Sequence, residues 1–133
     1  MTEQPKGNVL FLDDDQFLVG MYGMKFTAAG YTVQTCLSVS EALEALRKEF
    51  VPDAIVFDLI MPERDGFAFL AALKSERLSP QTVLIALTNQ SDDREKAKAE
   101  SFGIDRYIVK ASMIPSEVVT VVGEEIAKKK KVG

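Results

Sequence analysis

Asp13, Asp14 and Asp15 stand in a row behind the apolar run "NVLFL", and Asp58 closes a second run, "DAIVF". Thr88 ends "TVLIALT" and Lys110 follows "RYIV". Carboxylates crowded together repel one another, which raises a pKa or calls for a cation. Carboxylate oxygens are hard ligands suited to Mg²⁺, which keeps several waters and takes one or two carboxylates together with a phosphate. The chain has no histidine, so Zn²⁺ is not expected. Lys110 adds a mobile point charge and Thr88 a hydroxyl donor, a pair fitted to a phosphoryl group. An aspartate can itself attack phosphorus and become an aspartyl phosphate, with Mg²⁺ and lysine spreading the charge of the in-line transition state.

These residues are far apart in the chain, so a fold has to gather them. Residues 8–12 read as a strand, and the stretch after them repeats apolar residues at Phe17, Met21, Met24 and Ala28, the spacing of one helical face. Gly30 is the expected cap of that helix. Gly20 and Gly23 each weaken it by about 1 kcal/mol relative to alanine, and close packing on the sheet is the expected reason. "YTVQTC" alternates like a strand, and Ser38 and Glu41 have capping-box spacing before an amphipathic segment. "DAIVFD", the Pro- and Gly-bearing loop "LIMPERDG" and "FAFLAALKSER" give a third strand and helix. "TVLIALT" with "DDREKAKAESFG", closed by Gly103, and "RYIVK" with "PSEVVTVVGEEIAKKKK" complete five βα units. Alternating strands and helices predict a parallel sheet covered on both faces. Right-handed crossovers place every strand's C-terminal end on one edge, where open α/β sheets bind ligands. Asp13, Asp14, Asp58, Thr88 and Lys110 all fall there. Asp15 is read as a helix cap.

"LDDD", "VFDLIMPERDGF", "ALT" and "YIVK", in this order on five βα units, resemble the response-regulator receiver domain of two-component signalling. The resemblance runs from about Asn8 to about Lys128. It implies a flavodoxin-like (βα)5 three-layer sandwich, α/β class, with a central five-stranded parallel sheet in order 2-1-3-4-5. It divides the chain into an N-terminal extension (1–7), a receiver domain (8–128) and a basic C-terminal tail (129–133). It further implies that Asp58 accepts the phosphoryl group and that Asp14 binds Mg²⁺ directly. Asp13 would act largely through a water, and the Ile60 carbonyl would complete the ligands. Lys110 and Thr88 would hold phosphoryl oxygens, and Tyr107 would be the aromatic switch that fills space vacated by Thr88. The surface made by the fourth helix, fifth strand and fifth helix would change. Implied partners are a histidine kinase or phosphotransfer protein as donor and a downstream effector protein, with the chain a monomer or a phosphorylation-dependent dimer. Catalysis would be limited to self-phosphorylation and slow loss of the phosphoryl group.

Several positions depart from the family pattern. Receivers usually carry a cis-proline after the lysine, and Ala111 stands there. A cis bond before a non-proline residue costs about 3–4 kcal/mol, so a trans Lys110–Ala111 bond and a rearranged loop are expected. Asn89 is larger than the residue common in the family at that position, large enough to crowd or hydrogen-bond the phosphoryl group. Ile60 and Gln90 are uncharged where water normally approaches, which implies slow self-hydrolysis. Two other readings stand beside this one. A phosphorylation-independent interaction module is compatible with Asn89 and Ala111. A haloacid-dehalogenase-like phosphatase would use Asp13 and Asp15 as a D-x-D pair. Its final acidic pair should follow the lysine, whereas Asp92 and Asp93 precede Lys110.

Composition narrows the classes further. With 133 residues, 47% hydrophobic and 27% charged, the chain fits one folded domain rather than a disordered segment. Sixteen basic against twenty acidic residues give −4, and the basic excess sits at the C-terminus, so neither direct nucleic-acid nor membrane binding is expected. The four lysines at 128–131 are read as a solvated run that complements a helix C-terminus. A single cysteine, Cys36, in a strand reads as a buried thiol. With no leader or spanning segment, a cytoplasmic setting is expected. Five units with nothing after them suggest output through another protein rather than an attached DNA-binding domain.

Overall fold

The computed structural model describes residues 6–89 and 91–132. Five βα pairs follow one another: β1 (Asn8–Leu12), α1 (Gln16–Ala28), β2 (Thr32–Cys36), α2 (Val39–Arg47), β3 (Ala54–Phe57), α3 (Gly66–Ser75), β4 (Val83–Thr88), α4 (Asp93–Ser101), β5 (Arg106–Val109) and α5 (Pro115–Val132). A 3₁₀ turn, Lys110–Ser112, links β5 to α5. All strand pairs are parallel, as the alternating pattern predicts, in the order β2-β1-β3-β4-β5 that the family resemblance implies.

Alternation along the strands divides the core in two. Leu10, Leu12, Ile55 and Phe57 face α2 and α3 with Leu43, Phe69 and Leu70. Val9, Phe11, Val56 and Ile85 face α1 and α5 with Tyr22, Phe26, Val118 and Val122. β3 is buried at every residue, as a central parallel strand should be. Phe11 stacks on Tyr22 with ring centroids 4.7 Å apart, which fixes α1 on the sheet. Helix starts are side-chain capped as read: Asp15 accepts from the Leu18 N–H (3.1 Å) and Ser38 from the Glu41 N–H (3.2 Å). Asp65 and Asp92 do the same for α3 and α4.

Three readings of the helices need revision. The buried face of α1 is Val19, Tyr22 and Phe26, not the Phe17–Met21–Met24–Ala28 stripe. Phe17 and Met24 are 85% and 75% exposed. The helix is apolar on all sides, so periodicity alone did not identify the inner face. Its C-cap is Ala29, and Gly30 lies one residue beyond at φ +101°, the left-handed position that follows many helix ends. Close packing accounts for Gly23, where a Cβ would meet Thr35 Cγ2 at 3.2 Å, but not for Gly20, which has nothing within 4 Å.

The lysine run belongs to α5, which continues through Val132, past the boundary drawn at residue 128. Lys129 Nζ reaches the Thr82 carbonyl (3.1 Å) and Asp105 (3.4 Å), and Lys130 Nζ lies 3.7 Å from Asp53. Among the described residues no helix is long and apolar enough to cross a membrane.

Cys36 is buried at the end of β2. Burial, reinforced by the Glu41 carboxylate, pushes its thiol up to about 12. Only the thiolate reacts, so alkylation of native protein at pH 8 should be far slower than in denaturant. Native labelling at the rate of a free thiol would contradict this. Because the unfolded thiol ionises first, near its ordinary value of 9.0, Cys36 also lowers stability as pH rises from there toward 12.

Candidate functional site

Two strand ends, those of β1 and β3, bring the carboxylates together. The β1–β2 and β1–β3 ladders run one step past the strands: the Asp13 N–H donates to the Cys36 carbonyl (3.1 Å) and the Asp58 N–H to the Leu12 carbonyl (3.0 Å). Asp13 and Asp58 are therefore held as rigidly as strand residues, and they are only 1% and 4% exposed. Asp14, one residue further, is exposed. Carboxylate oxygens of Asp13, Asp14 and Asp58 all lie within 4.8 Å of one another.

Lys110, delivered by β5, is the countercharge. Its Nζ lies 2.7 Å from Asp13 Oδ2 and 3.3 Å from Asp58 Oδ2. The remaining carboxylate oxygens are also engaged: Asp13 Oδ1 accepts from the Asp15 N–H (2.9 Å) and Asp58 Oδ1 from the Ile60 N–H (3.2 Å). Burial raises the Asp13 carboxyl above its ordinary value, outweighing the hydrogen bond from Lys110. Burial alone would lower the Lys110 ammonium, but the Asp13 and Asp58 carboxylates together reverse this and raise it. Three carboxylates facing one ammonium leave a deficit of positive charge, and the donors are all oxygens. Both features fit a hard divalent cation such as Mg²⁺.

Thr88 ends β4 opposite Val109, and Ala86 pairs with Tyr107. By alternation Thr88 and Tyr107 therefore share the face that carries α4. The Thr88 side chain is buried, and its hydroxyl has no hydrogen-bond partner among the described residues. An orphaned buried hydroxyl costs about 1–3 kcal/mol and marks a place where an acceptor is expected. Tyr107 Oη donates to Glu95 Oε1 at 3.4 Å, while Lys96 Nζ sits 6.0 Å from the ring centroid. Burial, then Asp92 and more weakly Asp58, raise the Glu95 carboxyl, against the hydrogen bond from Tyr107.

Among the other positions singled out, the Ile60 side chain is 54% exposed beside Asp58. Asn89 and Ala111 are exposed at the rim. Gln90 lies outside the described residues. Among those residues every peptide bond is trans, Lys110–Ala111 included, and a 3₁₀ turn spans Lys110–Ser112.

Two contributors escaped the sequence reading. Glu95 sits in the first turn of α4, in a helix whose polarity on every side gave no reason to single out one carboxylate. Gly66 begins α3 against the Asp58 loop: a Cβ there would overlap the Asp58 carbonyl oxygen and lie 2.8 Å from Leu59 Cα. Its place in the "RDG" of the loop was read only as a turn.

The arrangement combines a buried carboxylate in line with an ammonium, a free hydroxyl and an oxygen-donor cluster, all at the C-terminal edge of a parallel sheet. Residues 9–122 match the response regulator receiver domain family. Response regulator SaeR of Staphylococcus aureus is 30% identical over 124 residues, covering 93% of this chain and 52% of that protein. Probable transcriptional regulator ycf27 of Pyropia yezoensis is 32% identical over 108 residues, covering 81% and 43%. The chain thus spans about half, or less, of the length of these curated relatives. Among solved structures, a CheY-like response regulator receiver domain protein from Methanospirillum hungatei superposes with a TM-score of 0.85 at 23% identity, covering 95% of this chain and 98% of that one. Chemotaxis protein CheY4 of Vibrio cholerae gives 0.80 at 26%, covering 88% and 96%. The chain belongs to the response regulator receiver domain family of two-component signalling.

Proposed function

We propose that Asp58 accepts a phosphoryl group from a histidine kinase or phosphotransfer protein, and that the phosphorylated state changes the α4-β5-α5 surface read by an effector protein. The observation that carries this reading is the convergence of Asp13, Asp14 and Asp58 on one another, with Lys110 bridging Asp13 and Asp58. Receiver domains as a family signal rather than turn over substrates, and they bind Mg²⁺ at an acidic pocket. Here Asp13, Asp14, Asp58 and the Ile60 carbonyl would hold the ion. When bound, it supplies charge neutralisation for the carboxylates and for the oxygens of the incoming phosphoryl group.

The chain's own residues do the rest. An Asp58 carboxylate oxygen forms a bond to phosphorus while the bond from phosphorus to the donor's leaving atom breaks. Lys110 keeps Asp58 oriented beforehand and pairs with a phosphoryl oxygen afterwards. Thr88, whose hydroxyl lacks a partner, donates to another. Its inward movement frees volume on the face it shares with Tyr107, and the Tyr107–Glu95 hydrogen bond is one contact that must break for the ring to follow. Uncharged Ile60 beside the aspartyl phosphate, together with the uncharged Gln90 of the sequence, gives slow self-hydrolysis. The chain acts in the cytoplasm as a monomer or a phosphorylation-dependent dimer.

A D-x-D phosphatase needs Asp15 as a free general acid, and here its carboxylate is committed to capping α1 through Leu18. The deciding experiment is intact-mass spectrometry after incubation with acetyl phosphate, with and without Mg²⁺, on wild type and Asp58→Asn. A Mg²⁺-dependent gain of one phosphoryl group, lost in Asp58→Asn, is expected. No gain in the wild type would overturn the reading in favour of a phosphorylation-independent interaction module, and a gain that survives Asp58→Asn would move the acceptor elsewhere.

A further inference from the structure

β4 lies inside the sheet, yet one of its six residues is not buried: Leu84, near its start. A central strand of a parallel sheet is expected to be covered throughout. The cover fails here because α4 is only nine residues long and buries a single side chain, Ala99. The gap between α3 and α4 is a cavity of about 420 Å³, within the range of small-molecule pockets. Its wall is apolar, made by Leu70 and Leu73 of α3, Leu84, and Phe102 at the end of α4. Its rim is cationic. Lys74, Arg77 and Lys129 stand around it, and among the described residues no carboxylate lines it. That is a positive focus in a chain whose net charge is −4.

We infer that this cavity binds a small amphipathic anion, a fatty or aromatic carboxylate, with its apolar body against Leu84 and Phe102 and its charge among the three cations. The cations have capacity for it. Lys74 and Arg77 form no ion pair among the described residues, and the neighbouring Glu76 is taken by Arg47 at 2.6 Å. Lys129 Nζ donates to the Thr82 carbonyl (3.1 Å) and to Asp105 (3.4 Å). An ammonium has three protons, so one remains for a ligand. Complementing the C-terminus of α3 would account for Lys74, but Arg77 lies beyond that helix and Lys129 comes from α5. Arg77 is also held at φ +55°, where glycine is the low-energy choice. A carboxylate seated between an arginine and lysines gains charge-assisted hydrogen bonds, while an apolar body removes Leu84 and Phe102 from water. An organic cation of the same shape gains only the second and meets repulsion, so charge sets the selectivity.

The test is titration of the full chain with sodium octanoate, read by amide chemical shifts, beside octylammonium as the tail-matched cation. Expected are saturable shifts at Leu73, Arg77, Leu84 and Gly103, with a dissociation constant of about 1 mM, and none there from octylammonium. Arg77→Gly and Lys74→Gln should each weaken octanoate about threefold, and the double variant about tenfold. Glycine relieves the backbone at position 77, so Arg77→Gly should melt at or above wild type, and its weaker binding is then not a loss of fold. Asp58→Asn should bind octanoate as wild type does, because the cavity opens at the start of β4, the edge of the sheet opposite Asp58. Shifts that rise linearly without saturating overturn the proposal. So do equal shifts from octylammonium, which would make the cavity merely apolar. Saturable binding that the double variant leaves unchanged also overturns it, by placing octanoate on another surface.

Discussion

Gly66→Ala is expected to lower the stability of the fold by about 2–3 kcal/mol and to disturb the Asp58 site with it. The added methyl would overlap the Asp58 carbonyl oxygen and press on Leu59 Cα and the Leu59 side chain. Two of these are backbone atoms, which cannot swing aside as a side chain does. The Gly66 N–H also donates to the Leu59 carbonyl at 3.0 Å, so α3 cannot back away without losing that bond. Gly103 and Gly20 provide the contrast. Gly103 has φ +86° with open space around it, so alanine there meets only backbone strain of about 1 kcal/mol. Gly20 has neither strain nor neighbours, so Gly20→Ala should gain about 0.5–1 kcal/mol from helix propensity. Urea midpoints should therefore fall in the order Gly20→Ala, wild type, Gly103→Ala, Gly66→Ala. Gly66→Ala alone should also lose Mg²⁺-dependent phosphoryl uptake. Equal midpoints for the Gly66 and Gly103 variants would show that the loop relaxes freely and that the close approach does not hold Asp58.

What could be read from the sequence divides along a physical line. The strands and the polar residues at their ends were legible because a short apolar run terminated by Asp, Thr or Lys is a one-dimensional signal. Parallel topology then places all those ends on one edge whatever the details of packing. The inner face of α1 was not legible, because Phe17, Met21 and Met24 are as apolar as Val19, Tyr22 and Phe26. Only the position of the sheet separates them. Glu95 and Gly66 matter through what they approach, Tyr107 and the Asp58 carbonyl, and closeness across elements leaves no trace in local spacing. The same holds for Lys129, whose partners Thr82 and Asp105 come from other units of the fold.

Lys110→Met and Asp13→Asn should move stability in opposite directions when no divalent cation is present. Lys110 bridges two buried carboxylates and is itself largely shielded, with 18% of its side chain exposed. Removing it leaves Asp13 and Asp58 facing each other unpaired, which should cost about 3 kcal/mol at pH 7. Asp13 behaves differently, because its carboxyl is raised by burial in spite of Lys110. A raised carboxyl favours the fold while protonated, below the ordinary value of 3.8, and that stability is lost as pH rises through the native value. At neutral pH the Asp13 charge is therefore a net burden, and Asp13→Asn should melt higher than wild type. Lys110, whose native value is also raised, contributes stability that is present below 10.5 and lost as pH rises past its native value. The gap between wild type and Lys110→Met should consequently narrow in acid, as Asp13 takes up its proton, and again in strong alkali, as Lys110 gives up its own. Mg²⁺ should invert the ranking, stabilising wild type by binding only the native carboxylate cluster while leaving Asp13→Asn little changed. Thermal melts across pH with and without Mg²⁺ measure all of this. An Asp13→Asn variant that melts below wild type in chelator would mean that the Lys110 pairing outweighs burial, and the carboxylate cluster would then be a structural ion pair rather than a site held ready for a cation.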